Sequence, residues 1–241
     1  EPLRDQVRAS GSHLGLATDG DADRFGVIDG TGCYLTPNQV IALLLVHLVE
    51  HRGYEGAVVR TVATTHLLDR LCEKYGLEII ETPVGFKYVC QHMRTKSVII
   101  GGEESGGLSI GAHIPEKDGI LANLLIAEMR AIRGEHLSKV LEEIMDEVGF
   151  VYSRRIDLRY PDEKKAGLVR ELVTVPPQAI AGRRVARIND VDGAKLILEN
   201  GSWFLVRPSG TEPLLRVYVE GESEIELQEI AEAVTELVGN H

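Results

Sequence analysis

A chain of 241 residues, 44% hydrophobic and 26% charged, can bury a real core and has the makeup of an ordinary soluble globular protein of two or three structural units. Its net charge of −11 repels nucleic-acid phosphates and anionic lipid, which excludes general nucleic-acid and membrane-surface binding. An anionic ligand must then be held by a few placed cations, loop amides or a metal.

The first helical pattern covers residues 3–8 and begins almost at Glu1, so the sequence is expected to belong to a longer chain. Next comes apolar Leu14-Gly15-Leu16-Ala17, then Asp19-Gly20-Asp21-Ala22-Asp23-Arg24. Strands are predicted at 25–28 and 33–35 around an Asp29-Gly30 turn. Thr36-Pro37 opens a helix to about residue 50, with Thr as N-cap and Pro at N1. Residues 57–60 form a strand, and Thr64 or Thr65 caps a helix closed by Gly76. A strand at 78–82, a helix at 86–94 and an apolar strand at 98–100 lead into Gly101-Gly102-Glu103-Glu104-Ser105-Gly106-Gly107. A short strand follows at 108–110. Asp118 caps a helix to about residue 133, and another covers 136–148. This alternation predicts a mixed, mainly parallel α/β sheet.

The pattern changes near Gly149. A strand at 151–158 and a helix at 162–172 are followed by strands at 184–188, 195–198, 203–206 and 215–219, then a helix at 224–237. Strands run together between two helices predict a smaller α+β domain. Boundaries are expected near residues 35 and 150: 1–35 as the tail of a truncated α/β domain, 36–149 as an α/β domain, 150–241 as the α+β domain. The cysteines Cys33, Cys72 and Cys90 are odd in number and form no CxxC pair, which predicts buried free thiols in a reducing compartment, hence the cytoplasm. The longest apolar run, around 40–49, is interrupted by His47 and too short to span a bilayer. No secretory leader is visible.

Three loops carry chemistry. Asp19, Asp21 and Asp23 alternate, and in an extended segment such positions share one face about 6.6 Å apart. Oxygen-only donors suit Mg²⁺. Gly20 lets the backbone curl, and Arg24 places a fixed charge beside the cation. An EF-hand fails here, because loop positions six and twelve would be Arg24 and Gly30; a solvated acidic turn is the other reading. In the second loop, Glu103 and Ser105 point to one side at the carboxyl end of a buried strand, where open α/β sheets bind ligands. A carboxylate there accepts from vicinal sugar hydroxyls and repels phosphate; a glycine-rich turn with solvated glutamates is the alternative. The third, Arg207-Pro208-Ser209-Gly210-Thr211-Glu212-Pro213, offers a planar donor, hydroxyls and amides suited to phosphate, with Arg216 as a second cation. It could instead be a turn stiffened by two prolines, and it does not fit a nucleotide-hydrolysing P-loop. Together the loops describe a phosphosugar handled beside Mg²⁺.

These three loops, in this order, resemble signature loops of the α-D-phosphohexomutase superfamily, which includes phosphoglucomutases and phosphomannomutases. The resemblance covers the whole chain. It implies three similar α/β domains followed by a smaller α+β domain. It also implies interconversion of hexose 1- and 6-phosphates through a hexose bisphosphate intermediate. By that resemblance Asp19, Asp21 and Asp23 hold Mg²⁺, and Glu103 and Ser105 contact sugar hydroxyls. Arg207, Ser209, Gly210 and Thr211 grip the distal phosphate from the other domain. Gly85-Phe86-Lys87 resembles the segment that supplies an active-site lysine, so Lys87 and Arg24 are the expected catalytic side chains, with His66 and His113 weaker candidates. The family's Ser-His-Asn-Pro nucleophile loop has no counterpart: Ser12-His13 is followed by Leu14-Gly15. The implied partners are therefore the hexose phosphate and the N-terminal domains of the same protein. A phosphoglucomutase is favoured over a phosphomannomutase or phosphoglucosamine mutase. For the chain alone, a non-catalytic phosphosugar-binding module is the alternative.

Overall fold

The change of pattern at Gly149 is a change of unit. In the computed structural model, which describes residues 1–239, the chain divides into Glu1–Gly149 and the remainder from Phe150 onward.

The first unit begins with α1 (Pro2–Ser10) and an antiparallel sheet of β1 (Leu14–Thr18), β2 (Phe25–Asp29) and β3 (Tyr34–Leu35), in that order. Helix α2 (Pro37–Glu50) starts in a reciprocal capping box. The Thr36 hydroxyl accepts from the Gln39 amide at 3.4 Å, and the Gln39 side chain accepts from the Thr36 amide at 2.9 Å. Its residues Val40–Leu48 are buried, as an apolar run on all sides of a helix requires. Then follow β4 (Ala57–Thr61), α3 (Leu67–Tyr75), β5 (Ile79–Thr82), α4 (Phe86–Thr95), β6 (Val98–Gly102), β7 (Leu108–Ile110), α5 (Gly119–Arg133) and α6 (Leu137–Val148). The second sheet runs β5-β4-β6-β7, parallel except for β7. Strands β4 and β6 are buried along their whole length, as central parallel strands are, and the one charge in them, Arg60, is paired with Asp69 and Glu81. His66 takes the N-cap position of α3, while the Thr65 hydroxyl accepts from the Leu67 amide at 3.0 Å.

Asp29 ties this unit together. It is fully buried. Its Oδ1 accepts from the Thr31 amide at 2.9 Å, the Thr31 hydroxyl at 2.5 Å and the Cys33 amide at 3.2 Å; its Oδ2 accepts from the Ser138 amide at 3.2 Å and from the Ser138 hydroxyl. Burial alone would push this carboxyl up, but the bonds from Ser138 and Thr31 outweigh it and hold it below the usual aspartate range. The stability it contributes is thus present above the unfolded-state value of 3.8 and lost as pH falls through the lower folded value. Asp29→Ala strands these donors and is expected to cost about 2–4 kcal/mol, read from chemical denaturation at neutral pH.

The second unit contains β8 (Tyr152–Arg159), α7 (Asp162–Thr174), β9 (Ala179–Ile180), β10 (Arg183–Asn189), β11 (Ala194–Leu198), β12 (Trp203–Pro208), β13 (Leu214–Gly221) and α8 (Glu224–Gly239). Its six strands form one antiparallel sheet, β8-β13-β12-β11-β10-β9. Leu168 and Leu172 of α7 and Leu227, Ile230 and Val234 of α8 form its core with Leu196, Phe204, Val206, Val217 and Val219. The two-residue β9 is not visible in the sequence. Among the described residues no helix is long and apolar enough to cross a membrane. Cys72 and Cys90 are buried free thiols, and burial pushes the Cys72 thiol up to about 12; Cys33, expected inside, is exposed.

Candidate functional site

The acidic loop joins β1 to β2, which pair antiparallel from Leu14↔Asp29 to Thr18↔Phe25. It turns rather than extends, and the left-handed residue is Ala22 at φ 59°, not Gly20. An alanine held there is strained, as often occurs at functional turns. The Ala22 amide donates to the Asp19 carbonyl at 3.2 Å, and the Ala22 carbonyl accepts from the Gly119 amide at 3.0 Å. The curl of the loop, and not strand alternation, therefore places Asp19, Asp21 and Asp23, since alternation holds only for extended backbone. Among the described residues no three His, Cys, Asp or Glu side chains are gathered for a metal.

Instead the loop's charge is met by cations. Arg24 Nε lies 3.8 Å from Asp19 Oδ2 and 4.0 Å from Asp23 Oδ1, and Asp23 pairs with Lys117. The Lys117 hydrogen bond, helped by the fields of Lys117 and Arg24, holds the Asp23 carboxyl below its ordinary range. Lys117 immediately precedes Asp118, whose Oδ1 caps α5 by accepting from the Leu121 amide at 2.8 Å. His113 Nε2 lies 2.9 Å from Asp118 Oδ2, so this histidine serves the cap. Gly119 is required here: a Cβ at this position would collide with the Arg24 carbonyl oxygen.

The glycine-rich loop lies against the acidic one. Arg24 and Gly107 form an isolated antiparallel bridge. Glu103 is buried, and its Oε1 accepts from the Gly85 amide at 2.9 Å. Gly85, at φ 136°, is the N-cap of α4 and adopts a backbone that side chains resist. Segments 19–24, 85–87, 103–107 and 117–119 thus converge within one unit, at the carboxyl ends of β5 and β6. Ser105 is exposed. Lys87 is exposed too, with Nζ 4.8 Å from the Tyr88 ring centroid. The burial expected to tune it as a base is not supplied by this unit.

In the second unit, Arg207 on β12 stands directly across from Arg216 on β13, and Arg216 across from Asp157 on β8. Opposed arginines are unfavourable unless anions offset them. Arg207 Nε donates to Asp192 Oδ2 at 2.8 Å and Arg216 Nη2 to Glu212 Oε2 at 3.2 Å, while Arg216 Nε is buried without a partner among the described residues. Asp157 is held below its ordinary range, first by Arg155 and further by Arg216. Ser209 is buried, and its Oγ accepts from the amides of Thr211 at 3.4 Å and Glu212 at 3.2 Å, so this hydroxyl shapes the turn; Gly210 and Thr211 are exposed. Sequence reasoning missed Lys117, Asp192 and Asp157. Lys117 lies 94 residues from the carboxylate it meets, Asp192 meets Arg207 from the turn between β10 and β11, and only strand register sets Asp157 across from Arg216.

Comparison with known proteins places the chain among relatives. Residues 36–148 match the family model for phosphoglucomutase/phosphomannomutase, alpha/beta/alpha domain III, and residues 156–237 match that for the phosphoglucomutase/phosphomannomutase C-terminal domain. A phosphoglucomutase/phosphomannomutase of Thermococcus kodakarensis is 31% identical over 94% of this chain and 47% of its own length. A probable phosphoglucosamine mutase of Methanothermobacter thermautotrophicus is 34% identical over 92% of this chain and 46% of its own. The crystal structure of a putative phosphomannomutase from Thermus thermophilus superposes with a TM-score of 0.81 at 32% identity, over 98% of this chain and 48% of that one. The chain thus spans about half the length of the relatives it matches.

Proposed function

The chain belongs to the phosphoglucomutase/phosphomannomutase family, and on that premise we propose that it contributes the sugar-reading, metal-loop and phosphate-binding parts of a phosphohexomutase. The complete protein would interconvert hexose 1-phosphate and 6-phosphate through a bisphosphorylated intermediate. The observation that carries this reading is the convergence of the acidic loop, the Gly85 turn and the glycine-rich loop within one unit, joined by the Arg24–Gly107 bridge and the Glu103–Gly85 hydrogen bond.

The donor set fits a hard cation: three carboxylates, one held ionised, with no soft ligand among them. Asp19, Asp21 and Asp23 would hold Mg²⁺, which when bound offsets negative charge on a transferring phosphoryl group. Arg24 and Lys117 screen two of these carboxylates, Asp19 and Asp23. Glu103 would accept from a sugar hydroxyl, and exposed Ser105 would donate or accept beside it. Arg207, Ser209, Gly210 and Thr211, with Arg216, would bind phosphate.

A proton must leave the attacking hydroxyl, and an amine serves as base when burial or nearby cations lower its pKa. Lys87 is assigned that role by its place two residues beyond Gly85, which Glu103 anchors. Lys87→Ala in the complete enzyme is expected to lower kcat about tenfold or more, with a shifted pH–rate profile. A kcat within twofold of wild type would move the role to Lys117, the amine already at the acidic loop.

The nucleophile loop of the family is not present in these residues, so the 241-residue chain by itself should bind a hexose phosphate without turning it over, in a cytoplasmic setting. Incubating it with glucose 1-phosphate and Mg²⁺ tests this. Retained binding with no glucose 6-phosphate formed is the expected result, and turnover would show that the chain carries its own nucleophile.

A further inference from the structure

Lys165 lies in the second turn of α7 and is only 5% exposed. A buried ammonium is costly unless its three donors are met. Here they are: Nζ is 2.5 Å from Asp162 Oδ1, 2.6 Å from the Glu212 carbonyl oxygen and 3.5 Å from the Ser209 carbonyl oxygen. Two of the three acceptors therefore bracket the turn that runs from Ser209 to Glu212.

The consequence follows from peptide geometry. In a trans peptide the C=O and the next N–H point in opposite directions. Drawing the Ser209 carbonyl toward Lys165 turns the Gly210 amide to the far side of the loop. The other amides are occupied: Ser209 donates to the Leu214 carbonyl at 3.0 Å, and Thr211 and Glu212 donate to Ser209 Oγ. Among the described residues, Gly210 holds the one amide of this turn without a partner. It also sits at an exposed position, with open space where a side chain would stand.

We propose that Lys165 is a positioning residue for phosphate binding. It sets the 209–210 peptide so that the Gly210 amide meets the ligand, and it places a fixed positive charge behind the loop. This rests on the reading of Arg207–Thr211 as the phosphate loop.

Calorimetric titration of glucose 1-phosphate into the 241-residue chain tests it, with wild type, Lys165→Met, Lys165→Arg and Arg207→Ala compared well below their unfolding temperatures. Lys165→Met should weaken binding about tenfold, and Lys165→Arg, which keeps the charge and its donors, should recover most of it. The ¹⁵N–¹H resonance of Gly210, which should move on titration in wild type, should start displaced and respond weakly in Lys165→Met. A lowered unfolding temperature with unchanged affinity and an unchanged Gly210 response would overturn the proposal by showing a purely structural lysine. If Lys165→Met does not fold, Lys165→Gln carries the same two readouts. Loss of affinity in Arg207→Ala beside wild-type affinity in Lys165→Met would defeat the positioning role alone. Unchanged affinity in Arg207→Ala, or no binding by wild type, would defeat the phosphate-loop reading and this inference with it.

Discussion

Asp23→Asn in the complete enzyme is expected to lower kcat about a hundredfold or more, with little change in fold. The substitution keeps the shape of the side chain and removes its charge. Asp23 is partly exposed and is held ionised by Lys117 and Arg24, so no buried partner is stranded. What is lost is one hard oxygen donor and one negative charge at the loop assigned to Mg²⁺. The Mg²⁺ activation curve should shift to higher concentration along with the fall in kcat. Because the Asp23 carboxyl lies below its ordinary value of 3.8, Asp23 keeps its charge above that pH and loses it only on stronger acidification. A variant with wild-type kcat and an unshifted Mg²⁺ curve would remove Asp23 from the metal site.

Arg207→Ala should weaken glucose 1-phosphate binding by about ten- to a hundredfold, since charge-assisted contacts contribute about 1.5–3 kcal/mol each. Among the described residues only Nε of this guanidinium is bonded, to Asp192. Nη1 and Nη2 have no intramolecular partner among the described residues and remain available to a phosphate. The Arg216 opposite it supplies a second charge. Glucose, which lacks the phosphate, should bind equally poorly to both proteins. Equal affinity of wild type and variant for the phosphosugar would reduce residues 207–213 to a turn.

The order of elements was legible because local signals were strong. The Thr36 capping box, the Asp118 cap and the glycines at 76 and 149 mark helix ends at which the chain does stop or start. The mainly parallel sheet was legible from strands alternating with helices, and the later domain from strands without helices between them. The position of the acidic loop was legible, but its shape was not. Alternating carboxylates suggest one face only if the backbone is extended, and the left-handed Ala22 breaks that premise. Lys117, Lys165, Asp157 and Asp192 were missed for one shared reason. Each meets a partner far off in sequence: Lys117 meets Asp23 94 residues away, Asp192 meets Arg207 15 away, Lys165 meets the Glu212 carbonyl 47 away, and Asp157 faces Arg216 through strand register. Lys87 shows the opposite case: its motif was recognisable, but its exposure is a property of the folded surface.

The most direct test is a side-by-side kcat/KM measurement on the complete enzyme with glucose 1-phosphate, mannose 1-phosphate and glucosamine 1-phosphate, each with and without Mg²⁺. Mg²⁺-dependent formation of the corresponding 6-phosphates is expected, with glucose 1-phosphate the best substrate. A strong preference for the mannose or glucosamine compound would overturn the choice of sugar, and no interconversion of any of the three would contradict the phosphohexomutase reading itself.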